Sequence, residues 1–541
     1  MVICGCLVLK WLQDADRRSL MTPLHKLSRP NRLSHRIIAI IGAVLLSTLT
    51  FLTGPTPAYA REAIDTSIQP YLDQVAQQVS EFTLDNGMKF ILLERHQAPV
   101  VSCMLYAKVG AVNEADGQTG AAHYLEHLAF KGSTRIGTRD YTAEKPILDQ
   151  MDAAFDAFLV AEANGQTEEA EAFQLQLEEL RQQAATYVIQ NQYGQIIDQA
   201  GGVGLNATTG ADATRYFYSL PSNKLELWMS LESERFLEPV FREFYEEKEV
   251  ILEERGLRVD NDPIGKLVEV FLEEAFEQHP YRRPVIGYEE DLYRATRADI
   301  RNFFETYYGA DNLVGVVVGD IEPEMVEQMA EAYFGRLPAR GVSAQVNVNE
   351  PPQTALKEFT LSLPSQPWYV EGYHRPGIND PDHVVYSIIE GVLVNGRTSR
   401  LYKDIVEEQR IALDVGSVNG FPGDRYANII LLYGVTAPGF MPEDVAEPLH
   451  QQLERLATEP VTPSELERVK TQARASLLRQ LDSNSGMAAL LANYEAKTGS
   501  WRNVFTELQA IEAVTPADIQ RVAQATFQPN NRTVGKIIPA E

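Results

Sequence analysis

His123-Tyr124-Leu125-Glu126-His127 is the stretch that decides how this 541-residue chain reads. Residues four apart on a helix share one face, so both imidazoles can reach a single ion. Zinc suits imidazole and carboxylate ligands, and a hydrolytic site needs three of them plus a position for water. Glu126 lies three residues after His123, on the same side, where it can take a proton from that water. Zinc brings the pKa of a bound water to about 7, so hydroxide is available at neutral pH. The competing reading is a surface helix with incidental histidines. A metal-sensing module is also conceivable, but it would have no use for a general base beside the ligands.

Working outward, Phe82 to Leu92 reads as a hairpin, with apolar alternation flanking Asn86-Gly87 and a type I′ turn expected there. Val100 to Val109 alternates again as a third strand, and helical periodicity then runs from Ala121 to Phe130. From Glu144 to Gln190, Met151, Phe155, Phe158 and Leu159, and later Phe173, Leu177 and Leu180, recur at helical spacing. Asn164-Gly165 between them predicts a helical hairpin. Further helices are expected over Leu225 to Leu237, Tyr245 to Val259 and Ile300 to Tyr307.

A repeat is visible. Thr296-Arg297-Ala298-Asp299-Ile300 leads to Asp311-Asn312-Leu313-Val314-Gly315, and Thr515-Pro516-Ala517-Asp518-Ile519 leads to Asn530-Asn531-Arg532-Thr533-Val534-Gly535. Both read as a capped helix, a turn and a returning strand. Two similar halves follow, joined by a polar, Pro-containing stretch at 337–353.

The N-terminus reads separately. Lys26, Arg29, Arg32 and Arg36 precede an apolar run from Ile37 to Leu52, followed by small residues ending in Ala58-Tyr59-Ala60. Residues 1–60 therefore read as a secretory signal peptide or, if uncleaved, an N-terminal anchor. Export to the periplasm or outside the cell is the expectation, with membrane contact only through this segment.

The net charge is -27. Removing 1–60 takes away seven basic and two acidic residues, leaving -32. Such a chain is not a nucleic-acid binder, which needs a clustered basic surface. Its acidity reads first as a solvated, solubilising surface, and second as an interior attractive to basic peptides. Without the leader only Cys103 remains, which excludes an internal disulfide and a cysteine-based zinc site.

The His-x-x-Glu-His order is the inverted zincin signature, and here the chain resembles the pitrilysin/insulinase family of zinc metallopeptidases, particularly its bacterial, mitochondrial-processing-peptidase-like branch. The resemblance runs from about Phe82 to the C-terminus. It rests on Gly120 to Gly132, Asn206-Ala207-Thr208-Thr209, Glu247-Lys248-Glu249-Val250-Ile251-Leu252-Glu253-Glu254, His279 to Gly287 and Gly315 to Ile321. It implies Glu254 as third zinc ligand and Glu247 as its supporting partner, with Glu253 and Glu249 the rival positions and Glu243 and Glu246 a solvated face. It also implies that Asn206, Ala207 and Thr208 form an edge strand to which an extended peptide adds. One Zn2+ per chain is expected, with Glu126 as the base.

Two features depart from the family pattern. The spacing from His127 to Glu254 is about 50 residues longer than usual, which marks 144–190 as a helical insertion. The family's Arg and Tyr, seven apart in the second half, fall here on Val406 and Leu413, although Ser399-Arg400-Leu401-Tyr402 just before them is intact. Neither Val406 nor Leu413 can donate to an oxyanion, a loss of about 3 kcal/mol of transition-state stabilisation. The chain then reads as the zinc-bearing subunit of a dimer whose homologous partner supplies the pair, unless Arg410 or Tyr402 substitutes.

The expected fold is α+β, two related domains each with an antiparallel-rich β-sheet and helices packed on one face. Residues 61–336 form the zinc-binding domain and 354–541 the related domain lacking the motif. The expected activity is endopeptidase cleavage of extended or unfolded segments. A non-catalytic assembly subunit of the same fold is the alternative, against which the intact motif argues.

Overall fold

The computed structural model describes residues 68–341 and 345–540; the leader expected at 1–60 lies outside the described residues. In the first half, helix α1 (Gln69–Gln78) precedes β1 (Val79–Thr83), β2 (Lys89–Glu94), β3 (Val100–Ala107) and α2 (Ala121–Leu128). Helices α3 (Tyr141–Ala163), α4 (Thr167–Ala185) and α5 (Gln192–Gln199) lead to β4 (Val203–Thr209) and β5 (Thr214–Pro221). Then come α6 (Leu225–Leu237), α7 (Phe244–Arg255), α8 (Pro263–Ala275), α9 (Glu289–Arg294), α10 (Arg297–Tyr307), β6 (Leu313–Gly319) and α11 (Pro323–Phe334).

The second half runs β7 (Lys357–Leu363), β8 (Trp368–Arg375), α12 (His383–Leu393), β9 (Ala412–Phe421) and β10 (Asn428–Thr436). It ends with α13 (Pro442–Thr458), α14 (Pro463–Asp482), α15 (Asn484–Thr498), α16 (Asn503–Ala513), α17 (Pro516–Thr526) and β11 (Arg532–Pro539). Among the described residues, no helix or strand lies between α11 and β7.

The first sheet is ordered β1-β2-β6-β3-β5-β4 and the second β7-β11-β8-β10-β9. Adding five to each strand number of β2-β6-β3-β5-β4 reproduces the second sheet. In each, one parallel pair (β2/β6, β7/β11) joins an otherwise antiparallel array. The repeat seen in sequence has a physical form here. Thr296 and Thr515 open α10 and α17 with reciprocal capping boxes to Asp299 and Asp518, and both helices lead into the central returning strands β6 and β11.

The α+β class holds, and the two halves are locked by exchange. One face of the first sheet packs on its own helices around Phe90, Leu105, Tyr124 and Trp228. Its other face, with Ile91, Met104, Val314 and Val316, is covered by Met487, Leu491 and Trp501 from the second half. Reciprocally, Leu267, Phe271 and Leu272 of α8 cover Trp368, Leu431 and Ile537 of the second sheet. A strand buried on both faces reads as a continuous apolar run, and β6 (Leu-Val-Gly-Val-Val-Val-Gly) is one.

The Asn86-Gly87 reading needs correction. β1 and β2 do form an antiparallel hairpin, but Thr83 pairs with Lys89, so Leu84 to Met88 is a longer loop and not a two-residue type I′ turn. Only Gly87 has positive φ (86°), whereas type I′ needs it at both positions. Asn86 instead donates to the carbonyls of Phe334 and Leu337 at 2.8 and 3.0 Å, stapling the loop to the end of α11.

The hairpin α3–α4, turned at Gly165 (φ 69°), is no detached excursion. Phe155 packs on Tyr245, Tyr245 donates to Asp152, and Arg181 binds Glu246 and Glu249, so the hairpin buttresses α7. At its base Glu144 and Arg242, both fully buried, pair at 2.9 Å. The remaining Arg242 donors take the carbonyls of Lys131, Ser133 and Ile136, which folds the loop leaving α2.

Candidate metal centre

Helix α2 is wholly buried, and its two faces do different work. Tyr124 stacks on Phe244 at 4.6 Å between centroids and donates its hydroxyl to the Phe244 carbonyl, joining α2 to the start of α7. The opposite face presents His123, Glu126 and His127. The helix begins at Gly120, whose φ of 86° and close approach to the Ile286 carbonyl leave no room for a Cβ. Glu114 accepts from the Gly120 and Ala122 amides, both at 2.9 Å, and so caps the N-terminus.

Helix α7 brings the third group. One ligand atom each from His123, His127 and Glu254 lies within 4.8 Å of the others. Glu254 Oε2 is 3.8 Å from His123 Nε2 and 3.5 Å from His127 Nε2. Glu247, two turns earlier on α7, meets His127 Nδ1 at 3.1 Å and is itself held by Lys131. That contact orients the ring and leaves Nε2 aimed at the cluster. Of the rival positions, Glu253 and Glu249 are exposed. The solvated face expected at Glu243 and Glu246 is not one: both are partly buried and paired, with Lys131 and Arg181.

The electrostatics are those of a cation site. Burial drops His123 to about 3, and His127 beside it works the same way, so His123 stays neutral with its lone pair available. His127 suffers the same burial, but the hydrogen bond of Glu247 and the neighbouring Glu254 carboxylate outweigh it and raise the ring to about 9. Both ring nitrogens of His123 and Nε2 of His127 are buried with no hydrogen-bond partner among the described residues. Three such orphans would cost about 1–3 kcal/mol each. Two imidazole nitrogens and one carboxylate oxygen fit zinc and leave its fourth position open.

Glu126 is fully buried and accepts from the Thr209 hydroxyl at 2.6 Å. Burial pushes its carboxyl up to about 7, against the pull of Thr209 and His127. Thr209 ends β4, the outer strand of the first sheet, which also carries Asn206, Ala207 and Thr208. Ala207 is buried in the core beneath α2, whereas Thr208 lines a cavity on the other face. The sequence reading gave Thr209 no role toward Glu126. A cavity of about 360 Å³ adjoins the cluster, lined by His127, Glu247 and Glu254 and by Ile189 to Tyr193, which span the loop before α5 and its first two residues.

In the second half, Val406 packs against the core and Leu413 is exposed on β9. Arg400 is held by Glu465 at 2.8 Å, Tyr402 packs against the same core as Val406, and Arg410 is exposed with φ 58°.

Matched twin sheets, with two helical imidazoles and a glutamate gathered on the first, define a two-domain metallopeptidase fold. The model described as Insulinase (Peptidase family M16) matches 89–164, and the Peptidase M16 inactive domain matches 294–473, downstream of all three gathered residues. The chain is 26% identical over 463 residues to the zinc protease PqqE of Helicobacter pylori, covering 83% of this chain and 90% of that protein. It superimposes on the crystal structure of a protease from Helicobacter pylori with TM-score 0.72 and 24% identity, covering 85% and 99% of the two chains. The periplasmic protease PqqL of Escherichia coli matches with TM-score 0.64 and 17% identity, over 85% of this chain and 48% of PqqL. The chain belongs to the pitrilysin/insulinase family of peptidases, family M16.

Proposed function

We propose that this chain is a zinc-dependent endopeptidase acting on extended or unfolded segments, as the zinc-bearing subunit of a dimer. The carrying observation is the gathering of His123, His127 and Glu254 beside a buried Glu126. In this reading 61–336 is the catalytic unit with 144–190 inserted, 337–353 the linker and 354–541 its related half. One Zn2+ per chain, when bound, supplies Lewis acidity toward the scissile carbonyl and lowers the pKa of the attacking water. The chain does the rest. His127 is oriented by Glu247, and Glu126 takes the proton from water and returns it to the leaving amine. Its carboxyl, pushed up to about 7, is poised to do both near neutrality. Peptide adds along β4 through Asn206, Ala207 and Thr208, the open edge of the sheet.

The homologous partner is proposed because the second half offers Val406 and Leu413 where the family carries Arg and Tyr. A periplasmic location is proposed from the basic, apolar and small-residue order of 1–60, and PqqL is itself a periplasmic protease. No helix among the described residues is long and apolar enough to cross a membrane. The test is cleavage of an unfolded protein by the purified chain, alone and with a related, motif-lacking chain from the same source. Chelation is expected to stop cleavage, zinc to restore it, and the related chain to raise the rate at least about tenfold. Full-rate cleavage by the chain alone contradicts the dimer.

A further inference from the structure

A cavity of about 630 Å³ lies on the face of the first sheet opposite the metal centre, between β4, β5 and the start of α15. Its wall includes Thr208, Arg215, Arg479, Ser483, Ser485 and Gly486. Arg215 stands on β5 directly across from Thr208. Among the described residues, neither the Arg215 nor the Arg479 side chain forms a hydrogen bond or ion pair, and Arg215 Nε is buried. This is unusual in a chain with 75 carboxylate side chains against 48 basic ones. Arg215 is partly buried and Arg479 exposed, whereas the buried arginines Arg242 and Arg255 are engaged by acids, Glu144 and Glu269.

A third element has the same sign. Ser485 and Gly486 lie in the first turn of the fifteen-residue α15, which carries no acidic residue there. Its N-terminal end borders the cavity, with the Gly486 amide capped by the neutral Ser483 hydroxyl. Arg479 also borders a neighbouring cavity containing Glu390 and Glu507, but those carboxyls are taken by Ser417 and Tyr494.

Side chains of a β-strand alternate between faces. On β4, Thr209 points to Glu126 and Thr208 to this cavity. A peptide paired to the β4 edge obeys the same alternation. We infer that this cavity is a subsite for a peptide carboxylate, bound by Arg215 and Arg479 on residues that alternate with those facing the metal centre. The inference rests on the proposed peptide binding along β4. The carboxylate could come from an Asp or Glu side chain or from the free C-terminus. Bidentate guanidinium pairing suits either. The overall negative charge does not oppose it, because exposed charges beyond about 10 Å are screened at ordinary ionic strength.

The test measures binding to zinc-loaded full chain carrying Glu126→Gln, so that no turnover is needed. Fluorescent peptides identical except for Glu or Gln at successive positions, each with a free or amidated C-terminus, are titrated by anisotropy. At least about tenfold tighter binding is expected for Glu at alternate positions, or for the free C-terminus. The preference should vanish in Arg215→Gln/Arg479→Gln and weaken in the exposed-site variant Arg479→Gln alone, with affinity for the Gln peptide unchanged. Equal affinity for acidic and neutral peptides, including no binding of either, overturns the inference, as does a preference that survives both substitutions. Hydrolysis by the wild-type chain is scored separately. Cleavage without acidic preference discards the subsite and keeps the peptidase; preference without cleavage does the reverse.

Discussion

At the residue scale, the account turns on which side chain steadies which. Glu247 bonds His127 and is not one of the three gathered groups, so its replacement isolates orientation from ligation. Glu247→Gln should weaken zinc binding about 10–100-fold, read by competition with a calibrated chelator, with secondary structure unchanged. Unchanged zinc affinity would remove Glu247 from the site. Thr209→Val should leave zinc content intact and lower kcat with little change in KM, because the short bond it removes is the one to Glu126. The histidines and Glu126 were legible because their spacing is local. Thr209 was not: the contact spans 83 residues, and nothing in a Thr-Thr pair says which hydroxyl meets a carboxylate. Asn86 was misread for a related reason, since its amide is claimed by carbonyls about 250 residues away.

At the element scale, α2 and α7 must keep their separation for the cluster to persist, and several braces do this. Tyr124 stacks on Phe244, the α3–α4 hairpin leans on α7, and Arg242 folds the loop after α2. The buried Glu144–Arg242 pair is the sharpest of these. Removing one partner strands a charge in the interior, so Glu144→Ala should cost about 3–5 kcal/mol, read by urea unfolding. A loss below about 1 kcal/mol would mean the loop is held by other contacts. Apolar periodicity identified α3 and α4 as helices. It could not identify what they cover, because a stripe at helical spacing specifies a buried face and not its partner. The same limit hid the exchange of α8 and α15: each reads as an ordinary amphipathic or apolar helix, and only the tertiary structure shows that each covers the other half's sheet.

At the scale of the whole molecule, that exchange couples the metal-bearing half to its related half, and the seam contains a buried histidine. His279 is 2% exposed among Phe276, Tyr281 and Tyr426, and burial lowers its pKa to about 4. Folded, it stays neutral, whereas an unfolded histidine takes a proton near pH 6.5. Its contribution is therefore full above pH 6.5 and is lost as pH falls through about 4. Unfolding midpoints in urea should drop between pH 7 and 4.5, and His279→Gln should flatten that drop; an identical slope in the variant would place the acid sensitivity elsewhere. The twin-sheet architecture was legible from the two capped-helix repeats and the family landmarks, and the interlock was not. The central claim remains that one zinc and Glu126 cleave peptide bonds. It is tested most directly by digesting an unfolded protein with the zinc-loaded chain, wild type and Glu126→Gln, with zinc content measured in both. One zinc per chain in each, cleavage by the wild type, and a loss of at least about 10²-fold in Glu126→Gln are predicted. Cleavage that persists in Glu126→Gln, or a wild-type chain that takes up no zinc, would contradict the account.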